Sequence, residues 1–422
     1  MSSLAFSILF VSFFILSLVL RFWLSSRQLR CVSAHRGAVP ADFAEKIPLA
    51  AHQKAADYTA AKIHFGLLSL LFSSAVLIGF TLLGGLQWLA IALLPHTGNG
   101  IVFQIGLFVA FAAVSGVLDL PFDYYRQFVL EERFGFNKMS LGLWIADALK
   151  GTALGLVLGL PLIWVVLQLM EKSGNLWWLY TWLVWIGFQL VMMVIAPTLI
   201  MPLFNKFEPL KDDSLRQRIE GLMARVNFAA KGLFVMDGSK RSAHSNAFFY
   251  GFGANKRVVF FDTLIASLTQ PEIEAVLAHE LGHFKLQHNL KRMVIGSVVS
   301  LAFLALLGYL KNQTWFYSGL GFDPMPGVPS DAVALLLFML VLPVFTFLFS
   351  PLTSISSRKH EFEADAFAAT HTDARDLISA LVKMYEENAS TLTPDRLHST
   401  FYDSHPPASI SIRIHQLNLA VR

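Results

Sequence analysis

The 422 residues are 55% hydrophobic and only 15% charged, which excludes an ordinary soluble protein and indicates an integral membrane protein in contact with a lipid bilayer. The formal net charge of +4 is too small to indicate a nucleic-acid partner. A single cysteine excludes an internal disulfide and a thiolate zinc cluster, so protein ligands to a metal ion must be His, Asp or Glu.

Taken in chain order, seven apolar runs are long enough to cross a bilayer, which requires about 20 residues in a helix. They cover residues 4–24, 65–94, 101–118, 151–169, 176–199, 293–310 and 332–349. We expect the first run to be an uncleaved span and not a signal peptide, because no basic region precedes it.

The two longest polar regions outside these spans are residues 204–291 and 351–422. Within the first, residues 232–236 and 257–261 are rich in β-branched and aromatic side chains, which predicts two short strands. The expected division of the chain is therefore 1–203 for spans one to five, 204–291 for the first part of a polar domain, 292–350 for spans six and seven, and 351–422 for its second part.

The cations of the short loops predict the orientation of the chain. Ten lie in the first and second loops: Arg27, Arg30, Arg36, Lys46, Lys54, Lys62, Arg126, Arg133, Lys138 and Lys150. The facing loops offer only Lys172 and Lys311. Because cytoplasmic loops are enriched in Lys and Arg, we expect the N-terminus outside and both polar regions, with the C-terminus, in the cytosol.

Residues 279–283 read HELGH, an HExxH pattern within a segment of helical periodicity. On a helix, His279 and His283 share one face and can bind one ion, while Glu280 is offset enough to contact water on that ion. Zinc suits this set because it accepts imidazole nitrogens and keeps a fourth position open for catalysis. The pattern predicts one catalytic zinc ion.

A third ligand is expected among the acidic residues after the seventh span. Glu361 and Asp365 are four residues apart and share a helical face, so Glu361 can bind zinc while Asp365 orients a ligand histidine. An isolated pair of this kind is more commonly a solvated charged face. The HExxH pattern in need of an acid, and the position just past a span on the same side of the membrane, favour the ligand.

Five blocks in order along the chain resemble those of the type I CAAX prenyl proteases. They are FVLEERFGFNK, VMDGSKRSAHSNAFFYGFGANKRVVFFDTL, HELGH, SRKHEFEADAF and SHPP. The resemblance covers nearly the whole chain. It implies an all-α membrane protein, in which seven transmembrane helices form a barrel around a chamber, capped by a gluzincin-like zinc domain with a small β element.

The same resemblance implies roles for individual residues. His279, His283 and Glu361 would be the zinc ligands and Glu280 the general base. Asn246 would line the substrate cleft. His405 and Arg413 would stabilise the tetrahedral intermediate. The family usually reaches its arginine within six or seven residues of this histidine, whereas Arg413 comes eight residues after His405.

His288, His360 and His371 are expected to be solvated or structural, since three protein ligands complete a catalytic zinc site.

The leading functional hypothesis is a membrane zinc endopeptidase that cleaves near the C-terminus of prenylated CAAX-type or membrane-associated proteins. A quality-control protease that ignores prenyl groups would use the same chemistry. A non-catalytic transporter or scaffold is a third reading, against which the intact HExxH and ExxxD patterns argue. A bacterial inner membrane and an endoplasmic reticulum membrane both fit the sequence.

The charge asymmetry gives a first testable prediction. A reporter fused after Arg422 is expected in the cytosol, and Cys31 in the first loop is expected to resist impermeant thiol reagents added from outside. A periplasmic or lumenal reporter would mean that the number of spans is wrong by one.

Overall fold

The computed structural model describes residues 1–251 and 256–407, and these are mainly helical. The helices of the first half are α1 (Ser3–His35), α2 (Leu49–Phe80), α3 (Gly85–Thr97), α4 (Ile101–Tyr125), α5 (Glu132–Phe134), α6 (Leu141–Lys172), α7 (Trp177–Ile195) and α8 (Met201–Phe204). The π-helical turns Arg126–Glu131 and Ala196–Ile200 join α4 to α5 and α7 to α8. The third and fifth spans therefore continue as single long helices beyond their apolar part.

The second half combines a small sheet with further helices. Its elements are β1 (Phe207–Pro209), α9 (Asp213–Arg225), β2 (Gly232–Met236), β3 (Ala247–Tyr250), β4 (Arg257–Phe261), α10 (Asp262–Ser267), α11 (Gln270–Lys285), α12 (His288–Leu310), α13 (Thr314–Ser318), α14 (Asp331–Thr346), α15 (Ser350–His371), α16 (Ala374–Glu387) and α17 (Arg396–Tyr402). The sheet order is β1-β2-β4-β3, with β2 and β4 parallel and the outer pairs antiparallel. The two predicted strands are confirmed as β2 and β4.

Among the described residues, seven helices are long and apolar enough to cross a membrane, which confirms the predicted number of spans. The predicted bounds of the second span are wrong, because its helix is Leu49–Phe80 and α3 is a separate helix. The apolar run is interrupted between the two helices: α2 ends at Phe80 with Thr81 as its C-cap residue, and Gly84, the N-cap residue of α3, adopts a φ of +75°, a left-handed conformation that glycine tolerates. Hydropathy alone does not reveal this turn.

The spans differ in how much of their surface lies inside the protein. In six of them, between 6% and 22% of the most apolar 18-residue window is buried, against 50% in the seventh. Most residues in these windows are therefore at least partly exposed, to lipid or to an interior space. This supports the expected ring of helices around a chamber and argues against a solid bundle.

The polar domain has its own hydrophobic core. Side chains from α9, the sheet, α11 and α16 meet there, and Ile219, Phe260, Leu277 and Leu281 are completely buried. Burying such large apolar side chains is worth about 1.5–3 kcal/mol each. The core fixes α11, which carries the HExxH residues, against the sheet.

Polar contacts fix the first turn of α11. Thr269 and Glu272 form a capping box, in which each side chain bonds to the other's backbone N–H. The Glu272 carboxylate also accepts hydrogen bonds from Ser379 at 2.6 Å and Lys383 at 2.7 Å, both on α16. The start of α11 is therefore fastened to α16, at the end opposite to the histidines.

A second buried carboxylate joins α11 to α9. Glu274 is only 6% exposed, and Arg218 and Arg225 each donate to it at 2.5 Å. A buried charge is costly unless it is paired and hydrogen-bonded. Two arginines satisfy that requirement here and fix the rotation of α11 about its axis.

α11 and α15 approach each other closely at Gly282, within the HExxH segment. A Cβ atom at this position would lie 3.0 Å from the Ala364 Cα and 3.1 Å from the Phe367 Cβ. Glycine therefore allows the two helices to pack backbone to backbone. Any larger side chain must push α15, and with it Glu361, away from α11.

This contact predicts that Gly282→Val destabilises the protein by about 1–3 kcal/mol, the usual cost of overpacking. The measurement is the thermal midpoint of the purified protein in detergent. Gly296→Val on α12 is the matched control, because a Cβ there meets nothing within 4 Å. Equal midpoints for the two variants would contradict the importance of the close contact.

Candidate active site

Three side chains from two helices converge near the C-terminal end of α11. His279 and His283 lie one turn apart on α11, and Glu361 lies on α15. The two Nε2 atoms are 3.2 Å apart, and they lie 3.4 Å and 3.5 Å from the carboxylate oxygens of Glu361. The three groups thus offer ligand atoms that all lie within 4.8 Å of one another.

The spacing of these atoms fits a single zinc ion. Zinc binds nitrogen and oxygen ligands at about 2.0–2.2 Å in a tetrahedron, which puts neighbouring ligand atoms roughly 3.3–3.6 Å apart. The separations of 3.2–3.5 Å lie close to that range. Three protein ligands also leave the fourth position open, as catalytic zinc sites require.

Asp365 lies where it can orient His279. Its Oδ1 is 2.8 Å from the Nδ1 of His279, and the carboxylate is buried. With the Nδ1–H donating to Asp365, the Nε2 of His279 presents a lone pair towards Glu361. Such a carboxylate behind a ligand histidine is usual in zinc sites. Because Asp365 follows Glu361 by one turn, α15 provides both groups.

His279, His283 and Glu361 are called the centre from here on. The electrostatics of this centre favour a bound cation. Burial lowers the pKa of His279, but the carboxylates of Asp365 and Glu361 outweigh burial and raise that pKa to about 10. The imidazole would therefore hold a proton where no other cation is present. A divalent metal ion satisfies the same buried negative charge and would displace that proton.

Glu280 directly follows His279 on α11, and the charges of His279, His283 and Glu361 act on the pKa of its carboxyl. Burial raises the pKa of its carboxyl, and the charges of His279, His283 and His405 oppose that effect. The pKa remains above its ordinary value. A carboxylate with a raised pKa is better suited to accept and return a proton.

The structure brings His405 to the centre. Its Nε2 lies 3.3 Å from the Oε2 of Glu361, and its side chain is 72% exposed. Asn246 is exposed and immediately precedes β3, the strand that contacts α11. Arg413 lies outside the described residues. Of the expected catalytic and substrate-binding residues, His405 and Glu280 are thus beside the candidate ligands, and Asn246 is at the start of the neighbouring strand.

Sequence reasoning did not identify Arg292 as a neighbour of the centre, and it expected His288 and His360 only to be solvated or structural. The Nη2 of Arg292 lies 3.7 Å from the Oε1 of Glu361.

His288 is completely buried and touches both His283 and Glu363, and His360 is nearly buried beside it. These two histidines are therefore structural and not solvated. The contact of His288 with His283 follows from the positive φ of Gln287, which separates α11 from α12 and which no periodic pattern reveals.

Comparison with known proteins gives a consistent result over nearly the whole chain. The family described as CAAX prenyl protease N-terminal, five membrane helices, matches residues 28–206, and peptidase family M48 matches residues 209–419. A CAAX prenyl protease 1 homolog from Arabidopsis thaliana is 38% identical over 408 residues, which are 94% of each chain. CAAX prenyl protease 1 of Saccharomyces cerevisiae is 34% identical, over 91% of this chain and 89% of its own.

A solved structure agrees with these relatives. The crystal structure of S. mikatae Ste24p has a TM-score of 0.91 and 31% sequence identity to this protein, and the match covers 97% of this chain and 99% of that chain. The fold expected from the sequence is thereby confirmed. The chain belongs to peptidase family M48 and is an integral-membrane metallopeptidase.

Proposed function

We propose that this protein is a zinc endopeptidase that cleaves peptide bonds near the C-terminus of prenylated, CAAX-type proteins at a membrane surface. The observation that carries the proposal is the convergence of His279, His283 and Glu361 at tetrahedral spacing, with Asp365 behind one histidine. The names of the relatives support the substrate class.

His279, His283 and Glu361 would hold the zinc ion. When bound, zinc lowers the pKa of a coordinated water molecule and polarises the scissile carbonyl group. Asp365 would hold the ring of His279 in the tautomer that directs Nε2 to the metal. A buried carboxylate, two imidazoles and an open fourth position are the set that this chemistry needs.

Glu280 would act as the general base. Its carboxylate accepts a proton from the attacking water and passes it to the nitrogen of the leaving amine. The burial that raises its pKa suits both steps, because the group must bind the proton and then release it.

His405 and Arg413 would stabilise the negative charge that develops on the scissile carbonyl oxygen. A donor of this kind is worth roughly 3–4 kcal/mol in other hydrolases. The exposure of the His405 side chain leaves it free to turn from Glu361 towards a bound peptide.

The edge of the sheet offers a binding site for an extended peptide. β3 pairs with β4 on one side, and no other described strand pairs with it on the other. A peptide can add to such an edge through its main chain. Asn246, exposed at the start of β3, would contact that peptide.

The cation asymmetry supports a cytosolic active site. In a bacterial inner membrane or in the endoplasmic reticulum, this orientation presents the centre to proteins made in the cytosol. The proposed substrates, lipidated and attached to the cytosolic leaflet, would reach the centre from that side.

Two glutamates separate metal binding from catalysis. Glu280→Gln preserves the size of the side chain and all three candidate ligands, so we expect full zinc content and loss of nearly all peptide cleavage. Glu361→Ala removes one ligand, so zinc affinity and cleavage should fall together. Elemental analysis paired with a cleavage assay measures both. If Glu361→Ala held zinc as tightly as the parent, the third ligand would lie elsewhere, and Glu363 or Asp365 would be tested next.

The substrate class is tested with a farnesylated CAAX peptide and its unprenylated twin. We expect faster cleavage of the farnesylated peptide at equal concentration, because the lipid adds apolar contact within the membrane region. Purified Glu280→Gln protein is the control for a contaminating protease. Equal cleavage of the two peptides would contradict the CAAX assignment and favour a quality-control protease that ignores prenyl groups.

A further inference from the structure

Behind His283, on the side away from Glu361, lies a second line of polar side chains. The Nδ1 of His283 is 2.9 Å from the Nδ1 of His288, the first residue of α12. The Nε2 of His288 is in turn 2.9 Å from the Oε2 of Glu363 on α15. His288 is 0% exposed, so these two contacts account for both of its ring nitrogens without solvent.

The protons on these rings can be assigned from the contacts. A neutral imidazole carries one N–H and one lone pair. If the Nε2 of His283 presents its lone pair to the centre, its Nδ1 carries the proton and donates to the Nδ1 of His288. The Nε2–H of His288 then donates to the Glu363 carboxylate. Each N–H that joins His283, His288 and Glu363 then meets an acceptor.

We propose, resting on the zinc function proposed above, that His288 and Glu363 are positioning residues for His283. They hold its ring in the tautomer and orientation that direct Nε2 towards the metal. Asp365 does this directly for His279, whereas Glu363 acts on His283 through the intervening imidazole of His288. Both carboxylates, like Glu361, lie on α15, so one helix would supply a ligand and orient both histidine ligands.

His283, His288 and Glu363 form a hydrogen-bonded relay, and His360 packs against its middle member, His288. Its ring stacks on that of His288, with centroids 4.2 Å apart and planes within 13°. The side chain is 9% exposed, and its Nδ1 has no hydrogen-bond partner among the described residues. Stacking against a flat ring restricts rotation of His288, which preserves the alignment of its two hydrogen bonds.

The same three side chains raise an alternative, because His288, His360 and Glu363 offer ligand atoms within 4.8 Å of one another. A second metal ion there is disfavoured by the ring geometry. Nitrogen lone pairs lie in the plane of their ring, and nearly parallel stacked rings direct them into separate planes and not to one point. The Nε2 of His288 is also already bonded to Glu363.

Two substitutions at His288 separate positioning from packing. His288→Asn keeps an acceptor oxygen at the same number of bonds from the backbone as Nδ1, whereas His288→Leu keeps the bulk and removes the acceptor. We expect His288→Leu to weaken zinc affinity about 10–100-fold, as loss of a group behind a metal ligand does, and His288→Asn to recover most of that loss. Glu363→Ala should also weaken affinity, by less than His288→Leu.

Zinc affinity is measured by competition with a chelator on the purified full-length protein, and the thermal midpoint of the zinc-free protein reports folding. His371→Leu is the control, since His371 on α15 bonds to Thr370 and the Phe367 carbonyl and not to the centre. It should leave zinc affinity unchanged. The midpoints of the zinc-free His288 variants should be alike, because the relay acts on the metal.

Three results would overturn the positioning role of His288 and Glu363 while leaving the proposed zinc function in place. One is unchanged zinc affinity in His288→Leu. Another is equal loss in His288→Asn and His288→Leu, which would mean that the ring only packs. The third is two zinc ions per parent chain falling to one in His360→Ala, which would establish a second metal site. A parent protein that binds no zinc would instead overturn the proposed function, and the relay with it.

Discussion

The close packing of α11 against α15 at Gly282 is the contact on which the rest of the site depends. The candidate ligands come from both helices, and their spacing of 3.2–3.5 Å leaves little tolerance for a shift of either. Each helix also adjoins a membrane span. α11 is separated from α12 by Leu286 and Gln287, and α15 follows α14 through the 3-10 turn Phe347–Phe349. The relative position of the sixth and seventh spans is therefore transmitted to the centre.

Buried carboxylates have two distinct uses along α11 and α15. Near the start of α11, Glu272 and Glu274 are each neutralised by basic side chains of neighbouring helices, and they orient the helix. Near its end, the buried carboxylate of Glu361 faces two imidazoles, which leaves the centre open to a cation. A buried charge is retained only where it is paired. Glu272 and Glu274 are paired by protein cations, and we propose that Glu361, which lies 3.7 Å from Arg292, is paired mainly by a metal ion.

Much of the site could be predicted because it depends on helical spacing. The i, i+4 relation brings His279 and His283 onto one face, and the same relation places Asp365 one turn from Glu361. β2 and β4 were predicted from residue type. The second span was predicted wrongly, since the turn at Gly84 lies within an apolar run. His288 was missed as a neighbour of His283 because their contact depends on the backbone of Gln287, which has no signal in the sequence.

The proposed function requires that one zinc ion bind between α11 and α15. Crystals of the purified protein, with diffraction recorded on both sides of the zinc absorption edge, test it most directly. We expect one anomalous peak per chain, within bonding distance of the His279 Nε2, the His283 Nε2 and a Glu361 carboxylate oxygen. A zinc-loaded crystal with no peak there, or with its peak held by other residues, would contradict it.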